Sequence, residues 1–168
     1  MANDPYQQKQ SIFDRWAGFY DLTVTSVFYQ AVHRQLLDSI QLSEQPYVLD
    51  LGCGTGKLLN RLAHHQSDLI GLGVDLSPDM ISQAKRANQA PERLQYQVGN
   101  AVALCQQDES FDAVFNTITF LHYPEPEQVL GEVRRVLKPG GCYYLADFAP
   151  RWADQPEVLA QGLSIIHI

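Results

Sequence analysis

A glycine-rich stretch at residues 48–56 has the residue types and spacing best suited to holding a ligand. It reads VLDLGCGTG, with glycines at positions 52, 54 and 56 after an apolar run. Because glycine has no Cβ, the backbone can turn tightly there and come close to a bound molecule. A P-loop is excluded, since position 51 is not glycine and Lys57 is followed by Leu58 instead of Ser or Thr. A dinucleotide-binding GxGxxG motif is disfavoured by the GxGxG spacing but stays open, as does a tight turn that binds nothing.

An acidic residue follows this loop at the spacing at which nucleotide-binding folds place the carboxylate that binds a ribose. Asp75 ends the apolar run 69–75, roughly twenty residues downstream, where a carboxylate can accept hydrogen bonds from both hydroxyls of a ribose. The alternative for Asp75 is a helix-capping or solvated carboxylate. Ser77 and Pro78 come next and are typical of a helix start, with serine as the cap and proline at the first helical position.

Alternating apolar runs and amphipathic segments must position these residues. The sequence predicts strands at 46–51, 69–75, 94–98, 111–116 and 142–148, and helices at 11–18, 24–42, 56–65, 78–88 and 125–137, the last ended by KPGG at 138–141. Strands separated by helices favour right-handed crossovers and a parallel sheet, that is, a doubly wound α/β domain. Ligands of such sheets bind beyond the carboxyl ends of the strands, which here are residues 50–56, 75–80, 99–101 and 116–123.

Composition narrows the classes of partner. The 168 residues predict one domain, and 19 acidic against 12 basic side chains argue against a nucleic-acid partner. Three widely spaced cysteines match neither a disulfide framework nor a zinc site, and the polar first ten residues contain no signal-like apolar segment. No apolar run reaches the length of a membrane span. We therefore expect a cytoplasmic protein without a metal and without a membrane span.

Several motifs together carry a family resemblance. The sequence DLGCGTG at 50–56 closely resembles motif I of class I S-adenosylmethionine-dependent methyltransferases, and GNA at 99–101 is similar to their adenine site. FDAVFN at 111–116 resembles the motif of their fourth strand, and RVLKPGG at 135–141 resembles the stretch before their fifth strand. The resemblance covers residues 46–148 and is closest to the small-molecule branch containing the ubiquinone and menaquinone C-methyltransferases. The segment 13–21, FDRWAGFYD, resembles the lid region of that branch. The family resemblance as a whole implies a Rossmann-like, doubly wound fold with a mostly parallel sheet and helices on both faces.

The resemblance also implies roles for single residues. Gly52, Cys53 and Gly54 would surround the methionine part of S-adenosylmethionine through their backbone, with Asp50 fixing the loop near the ammonium group. Asp75 would bind the ribose. The full implied cofactor-binding set is Tyr20, Asp50, Gly52, Cys53, Gly54, Asp75, Leu76, Met80, Asn100, Ala101 and Asn116.

Leu76 and Met80 would lie against the adenine, although plain core packing is the alternative for Met80. Asn100 replaces the commoner aspartate, and its amide can both accept from and donate to the adenine. Tyr20 would close the lid over the cofactor carboxylate or anchor the N-terminal helices.

Substrate contacts are expected after the fourth strand. Phe120, His122 and Tyr123 are the candidate substrate residues, and His122 is the candidate general base because an imidazole titrates near pH 6.5. The alternative for His122 is a loop histidine at the pocket rim. NTIT at 116–119 replaces the NPPY-type motif of amino-methylating nucleic-acid enzymes, which together with the acidic charge favours a small-molecule acceptor. The resemblance to quinone C-methyltransferases implies that this acceptor is lipophilic or aromatic. The other histidines, at 33, 64, 65 and 167, are expected on solvated helix faces or at termini.

The C-terminal part is expected to be short relative to the family, whose members usually add a sixth and a seventh strand. We expect an N-terminal helical lid at 1–45, a cofactor-binding core at 46–148 and a short segment at 149–168, with a helix at 157–161 and a strand at 163–168. That strand would lie at a sheet edge and favour a homodimer. A truncated or non-catalytic cofactor-binding protein remains an alternative, as does an NAD-binding oxidoreductase.

Overall fold

The computed structural model describes the backbone of residues 23–147 and 163–167 and the side chains of residues 29–147. In chain order the elements are α1 (Thr23–Ser39), β1 (Tyr47–Leu51), α2 (Lys57–His65), β2 (Ile70–Asp75), α3 (Pro78–Arg86), β3 (Leu94–Val98), β4 (Phe111–Thr117), a 3-10 turn (Phe120–His122), α4 (Pro126–Val136), β5 (Leu137–Ala146) and β6 (Leu163–His167). The helices expected at 11–18 and 157–161, and Tyr20, lie outside the described residues. Within them, no helix is long and apolar enough to cross a membrane.

The strands form one sheet in the order β3-β2-β1-β4-β5-β6. The five strands β1–β5 are parallel to one another, while β6 runs antiparallel to β5. The order reverses between β1 and β4, so the loops after these two strands leave the sheet side by side. The predicted α/β doubly wound architecture is confirmed, and so is the strand expected in the last six residues.

The start of the fifth strand differs most from the sequence-based expectation, while the helices expected at 24–42 and 78–88 end at Ser39 and Arg86. Residues 138–141 were expected to separate the last helix from the fifth strand, but β5 already begins at Leu137. Leu137 pairs with Phe111, and the register then shifts before Ala113 pairs with Cys142. Gly140 has a φ of 79°, which accommodates this irregularity. The KPGG stretch is therefore an irregular part of the strand instead of a separate loop.

Apolar side chains cover both faces of the sheet, as expected for near-continuous apolar parallel strands. Neighbouring residues along a strand belong to different clusters, because successive side chains point to opposite faces. Val48 packs with one cluster, which includes Leu36, Leu58, Leu62, Ile81 and Phe115. Leu49 packs with the other, which includes Leu72, Val114, Val129, Val133 and Tyr143. The sheet is thus a rigid platform whose carboxyl edge presents the polar loops.

Candidate functional site

The chain leaves β1 through a loop whose backbone only glycine adopts without strain. Gly52 and Gly54 have φ values of 77° and 51°, in the left-handed region. A Cβ on Gly52 would lie 2.6 Å from Oγ1 of Thr119, so the loop after β4 comes close to the backbone there. A Cβ on Gly54 would meet no described atom within 4 Å. Gly54 therefore presents its backbone to open space at the carboxyl edge of the sheet.

The end of β2 holds this loop in place. The N–H groups of Gly52 and Cys53 donate to the carbonyl of Val74 at 2.8 and 3.1 Å. One carboxylate oxygen of Asp75 accepts from the N–H of Gly54 at 2.8 Å, and the other accepts from the N–H of Ser77 at 2.9 Å.

Helix α3 starts where the sequence indicated. Ser77 caps the helix, because its hydroxyl accepts from the N–H of Met80 at 3.2 Å, and Pro78 is the first helical residue. The cap fixes Leu76 and Met80 next to the end of β2, where both line the pocket described below.

Asp50 is the most unusual polar residue of the site. Its side chain is only 1% exposed, and neither carboxylate oxygen has a hydrogen-bond partner within the described residues. Burial, reinforced by the negative charge of Asp75, raises the pKa of Asp50 to about 8. Buried carboxyl groups are rarely left unpaired, and a strongly shifted pKa beside a cleft is typical of functional sites. The region under the glycine loop therefore suits a cation or a hydrogen-bond donor.

The loop after β4 forms the facing wall. Ile118 has a φ of 57°, a rare conformation for a β-branched residue and one that is strained. Its N–H donates to the carbonyl of Ala146 at 2.8 Å, which holds the chain in this turn. The next residue, Thr119, donates from its hydroxyl to the carbonyl of Leu51 at 3.4 Å. Thr119 was not predicted from the sequence, because only the turn at Ile118 brings it back to the glycine loop.

Asn116 and Tyr123 connect this wall to β1. The amide nitrogen of Asn116 donates to the carbonyl of Leu51 at 2.7 Å and to the hydroxyl of Tyr123 at 3.0 Å. Asn116 is fully buried, and its amide oxygen has no partner among the described residues. Burial raises the pKa of Tyr123 well above its usual range, so the phenol stays neutral. The pair forms a fixed corner beside the glycine loop.

Asn100 occupies a tight turn after β3. Its side-chain oxygen accepts from the N–H of Val102 at 3.2 Å, and its backbone carbonyl accepts from Ala103 at 3.1 Å. This turn fixes the position of Asn100 at the pocket wall. The side-chain oxygen has a remaining lone pair that can accept from a ligand.

These loops enclose one pocket at the switch in strand order. Of the residues proposed from the sequence, ten line it: Gly52, Cys53, Gly54, Asp75, Leu76, Met80, Asn100, Ala101, His122 and Tyr123. Asp50 and Asn116 are buried and are not among the lining residues. Phe120 packs edge-on against Tyr123, with ring centroids 6.0 Å apart, and does not line the pocket either. His122 is exposed on the 3-10 turn at the rim.

Further lining residues were not anticipated. They include Tyr29 and His33 on α1, Thr55, and Lys57 at the start of α2. Tyr29 and His33 are four residues apart and therefore lie on one face of α1; this spacing is the sequence signal that could have indicated a shared surface. Lys57 directly follows the last glycine of the loop, so its proximity to the site was readable from the sequence.

The expectation that His33 lies on a solvated helix face is wrong. His33 is only 3% exposed, because α1 packs beside α2 and brings Nδ1 of the ring against the guanidinium of Arg61. Burial and the positive charges of Arg61 and Lys57 lower the pKa of His33 to about 3. His64 and His65 are exposed, as expected. In the part of the chain that is described, no group of three His, Cys, Asp or Glu residues is arranged to hold a metal ion.

The fold is a doubly wound α/β sheet with a pocket beside the glycine loop at the switch in strand order, and comparison with known proteins gives the family. A family model described as "Methyltransferase domain" matches residues 49–145. The demethylmenaquinone methyltransferase of Lactiplantibacillus plantarum is 34% identical over 148 residues, covering 83% of this chain and 62% of that protein. The malonyl-[acyl-carrier protein] O-methyltransferase of a Marinomonas species is 33% identical over 129 residues, covering 77% of this chain and 47% of that protein.

Solved structures agree with this result. The chain superimposes with a TM-score of 0.71 on a structure described as the complex between the Haloferax volcanii Trm112 methyltransferase activator and the putative methyltransferase, at 31% identity over 80% of this chain and 59% of that chain. The protein belongs to the S-adenosylmethionine-dependent methyltransferase family. It spans less than two thirds of the length of the relatives named above.

Proposed function

We propose that the pocket binds S-adenosylmethionine and that the chain transfers its methyl group to a small, lipophilic or aromatic acceptor. The observation that carries this proposal is the arrangement of Asp50 and Asp75 around the glycine loop. Asp75 accepts from the N–H of Gly54 beside open space, while neither carboxyl oxygen of the buried Asp50 has a hydrogen-bond partner within the described residues. A ribose matches Asp75, and a positively charged amino group would favour the ionised form of Asp50, whose pKa is raised in its absence. When bound, S-adenosylmethionine supplies a methyl group on a positively charged sulfur, which is already activated for transfer.

The pocket residues suggest how the cofactor is held. Asp75 would accept from the ribose hydroxyls, and the backbone of Gly52–Gly54 would surround the methionine part next to Asp50. Leu76 and Met80 would lie against the adenine, with Asn100 and Ala101 at its edge. All of these except Asp50 line the pocket, and they come from the ends of three neighbouring strands.

The chain's main contribution to the reaction would be placement of the acceptor. Proximity and orientation can account for about 7–11 kcal/mol of barrier lowering in favourable cases. The wall after β4 provides this placement, since Thr119 and Tyr123 are tied to the carbonyl of Leu51, Tyr123 through Asn116. For an acceptor that must lose a proton, His122 is the candidate base at the rim. The similarity to a demethylmenaquinone methyltransferase supports a lipophilic, aromatic acceptor.

Two measurements test the proposal in sequence. Calorimetric titration should show binding of S-adenosylmethionine and S-adenosylhomocysteine in preference to NAD, and binding of NAD alone would contradict it. Incubation with methyl-labelled cofactor and a panel of quinols, phenols and small carboxylic acids should then show transfer to at least one lipophilic acceptor. Tight cofactor binding without transfer to any acceptor would instead favour a non-catalytic cofactor-binding protein.

A further inference from the structure

The facing wall of the pocket, residues 117–124 after β4, differs in chemistry from the side that contains the glycine loop. The residues of the wall that line the pocket are Thr117, Thr119, His122, Tyr123 and Pro124. The whole stretch contains no Lys, Arg, Asp or Glu, whereas Lys57 and Asp75 line the pocket from α2 and β2. The wall therefore presents mainly uncharged hydroxyl groups to a bound molecule.

The backbone of Ile118 brings two of these hydroxyl groups to the same pocket. Its φ of 57° is strained for a β-branched residue, and the N–H of Ile118 holds the turn by donating to the carbonyl of Ala146 at 2.8 Å. Thr117 precedes this turn and Thr119 follows it, and both line the pocket. Strained backbone that the surrounding structure keeps in place is typical of ligand-binding sites.

The phenol of Tyr123 has two hydrogen-bonding neighbours. Its oxygen accepts from Nδ2 of Asn116 at 3.0 Å, and the phenol also forms a hydrogen bond with the hydroxyl of Thr119. A phenol has one proton to donate, and Nδ2 of an asparagine can only donate. The proton of Tyr123 is therefore not used by Asn116, and it is shared between Thr119 and whatever occupies the pocket.

The hydroxyl of Thr119 can release this proton to a ligand. It donates to the carbonyl of Leu51 at 3.4 Å, a long contact, while the same carbonyl accepts from Nδ2 of Asn116 at 2.7 Å. If the hydroxyl of Thr119 rotates to donate to the phenol oxygen, the carbonyl of Leu51 keeps the shorter of its two hydrogen bonds. The phenol then accepts twice and donates its proton into the pocket. Burial raises the pKa of Tyr123, so the phenol keeps its proton and does not act as a base.

A wall of neutral donors fits an oxygen atom that carries no full charge. A carboxylate or phosphate group that leaves water needs a cation or several donors in exchange, and residues 117–121, Tyr123 and Pro124 supply no cation. The remaining residue of the wall, His122, is exposed at the rim. A phenol or quinol oxygen needs only one or two hydrogen bonds, and its aromatic ring gains from burial.

We propose that Tyr123 determines the class of acceptor by donating a hydrogen bond to the oxygen of a phenol or quinol, while Asn116 and Thr119 donate to the oxygen of Tyr123. An aromatic ring with a hydroxyl group is then bound more tightly than the same ring without an oxygen or with a carboxylate. Tyr123 is a specificity-determining residue, and this role rests on the proposed function.

The test measures binding to the full chain saturated with S-adenosylhomocysteine. The probes are 2-naphthol, naphthalene and 2-naphthoate, which share one ring system and differ in the substituent, and their affinities are measured by fluorescence titration. Tyr123→Phe and Thr119→Val each remove one hydroxyl group with little change of shape. Tyr144→Phe is the matched control, because the phenol of Tyr144 bonds to the backbone of Gln41 and does not line the pocket.

The wild type and Y144F are expected to bind 2-naphthol about tenfold more tightly than naphthalene or 2-naphthoate. Y123F should lose this preference and keep its affinity for naphthalene and for S-adenosylhomocysteine. T119V should keep the preference or increase it, because the donor is on Tyr123 and valine no longer competes for its proton.

Several outcomes overturn the inference. A wild type that binds 2-naphthol no more tightly than naphthalene, or that binds neither, does so, and so does wild-type preference in Y123F. Tighter binding of 2-naphthoate than of 2-naphthol would assign the wall to carboxylic acids instead. Should Y123F not fold, T119V decides in its place: a retained or increased preference supports the inference and a lost preference overturns it. Failure of the proposed function is distinct, because the wild type would then not bind S-adenosylhomocysteine.

Discussion

The carboxylate of Asp75 joins two backbone segments, accepting from the N–H of Gly54 at 2.8 Å and from the N–H of Ser77 at 2.9 Å. The same side chain therefore sets the conformation of the glycine loop and the start of α3 before any ligand is present. A carboxylate with no N–H of its own is required, since both partners are donors. The structural role and the proposed ribose contact thus depend on the same two oxygens.

Asp75→Asn is expected to weaken binding of S-adenosylhomocysteine at least tenfold. The amide has a single acceptor oxygen, so the asparagine loses one of the two backbone contacts. Its NH2 group would also present a donor where the ribose hydroxyls need an acceptor. Each hydrogen bond to a charged group is worth roughly 1.5–3 kcal/mol. Calorimetric titration measures the loss. Asp79→Asn is the matched control, because Asp79 is exposed in the first turn of α3. Unchanged affinity in D75N would restrict Asp75 to its structural role.

Substitutions of two glycines should separate binding from stability. A Cβ on Gly54 would meet no described atom within 4 Å, whereas a Cβ on Gly73 would lie 2.5 Å from the ring of Tyr96 and 2.8 Å from Sγ of Cys53. Gly54→Ala is therefore expected to abolish or strongly weaken cofactor binding, at a cost of about 1–2 kcal/mol for its left-handed backbone. Gly73→Ala is expected to destabilise the fold more, through overpacking of the core.

Urea unfolding and calorimetric titration of both variants measure these effects. If G54A bound S-adenosylhomocysteine like the wild type, the open space beside Gly54 would not be the ligand site.

The protonation of Asp50 should make stability depend on pH. Its pKa is raised from 3.8 to about 8 by burial and by Asp75, so the folded state holds this proton more tightly than the unfolded chain. Its contribution to the free energy of unfolding is therefore complete below pH 4 and is lost as the pH rises through 8. Asp50→Asn removes this contribution, so the variant should lose less stability between pH 5 and pH 8.5 than the wild type. Urea unfolding at both pH values checks this, and parallel losses would contradict the shifted pKa.

The outer position of β6 predicts self-association. It pairs with β5 on one side and is the last strand in the sheet formed by the described residues. An edge strand exposes unpaired backbone groups, which favour pairing with the same edge of a second copy. Light scattering should show a dimer for the full chain and a monomer for a version ending at Ala160. A full-length monomer at micromolar concentration would contradict this prediction.

Local signals were sufficient to predict the sheet and most of the pocket. Apolar runs gave the strands, Ser77 and Pro78 gave the start of α3, and the glycines gave the loop. Each of these depends on neighbouring residues only. His33 and Thr119 were missed because their surroundings come from distant parts of the chain. Arg61 is 28 residues from His33, and Leu51 is 68 residues from Thr119. The spacing of apolar residues predicts helices and strands, but it does not show which polar side chains become buried when distant elements pack together.

The reversal of strand order between β1 and β4 also divides the pocket along the chain. Residues between 50 and 101 form the proposed cofactor side, and residues between 117 and 124 form the facing wall. In evolutionary terms, substitutions or length changes between β4 and α4 can alter which acceptor is chosen while the strands that hold the glycine loop stay as they are. Thr119 in the facing wall, and Asn116 just before it, both donate to the carbonyl of Leu51 and so connect the two stretches. Divergence of acceptor specificity should therefore be most constrained at these two positions.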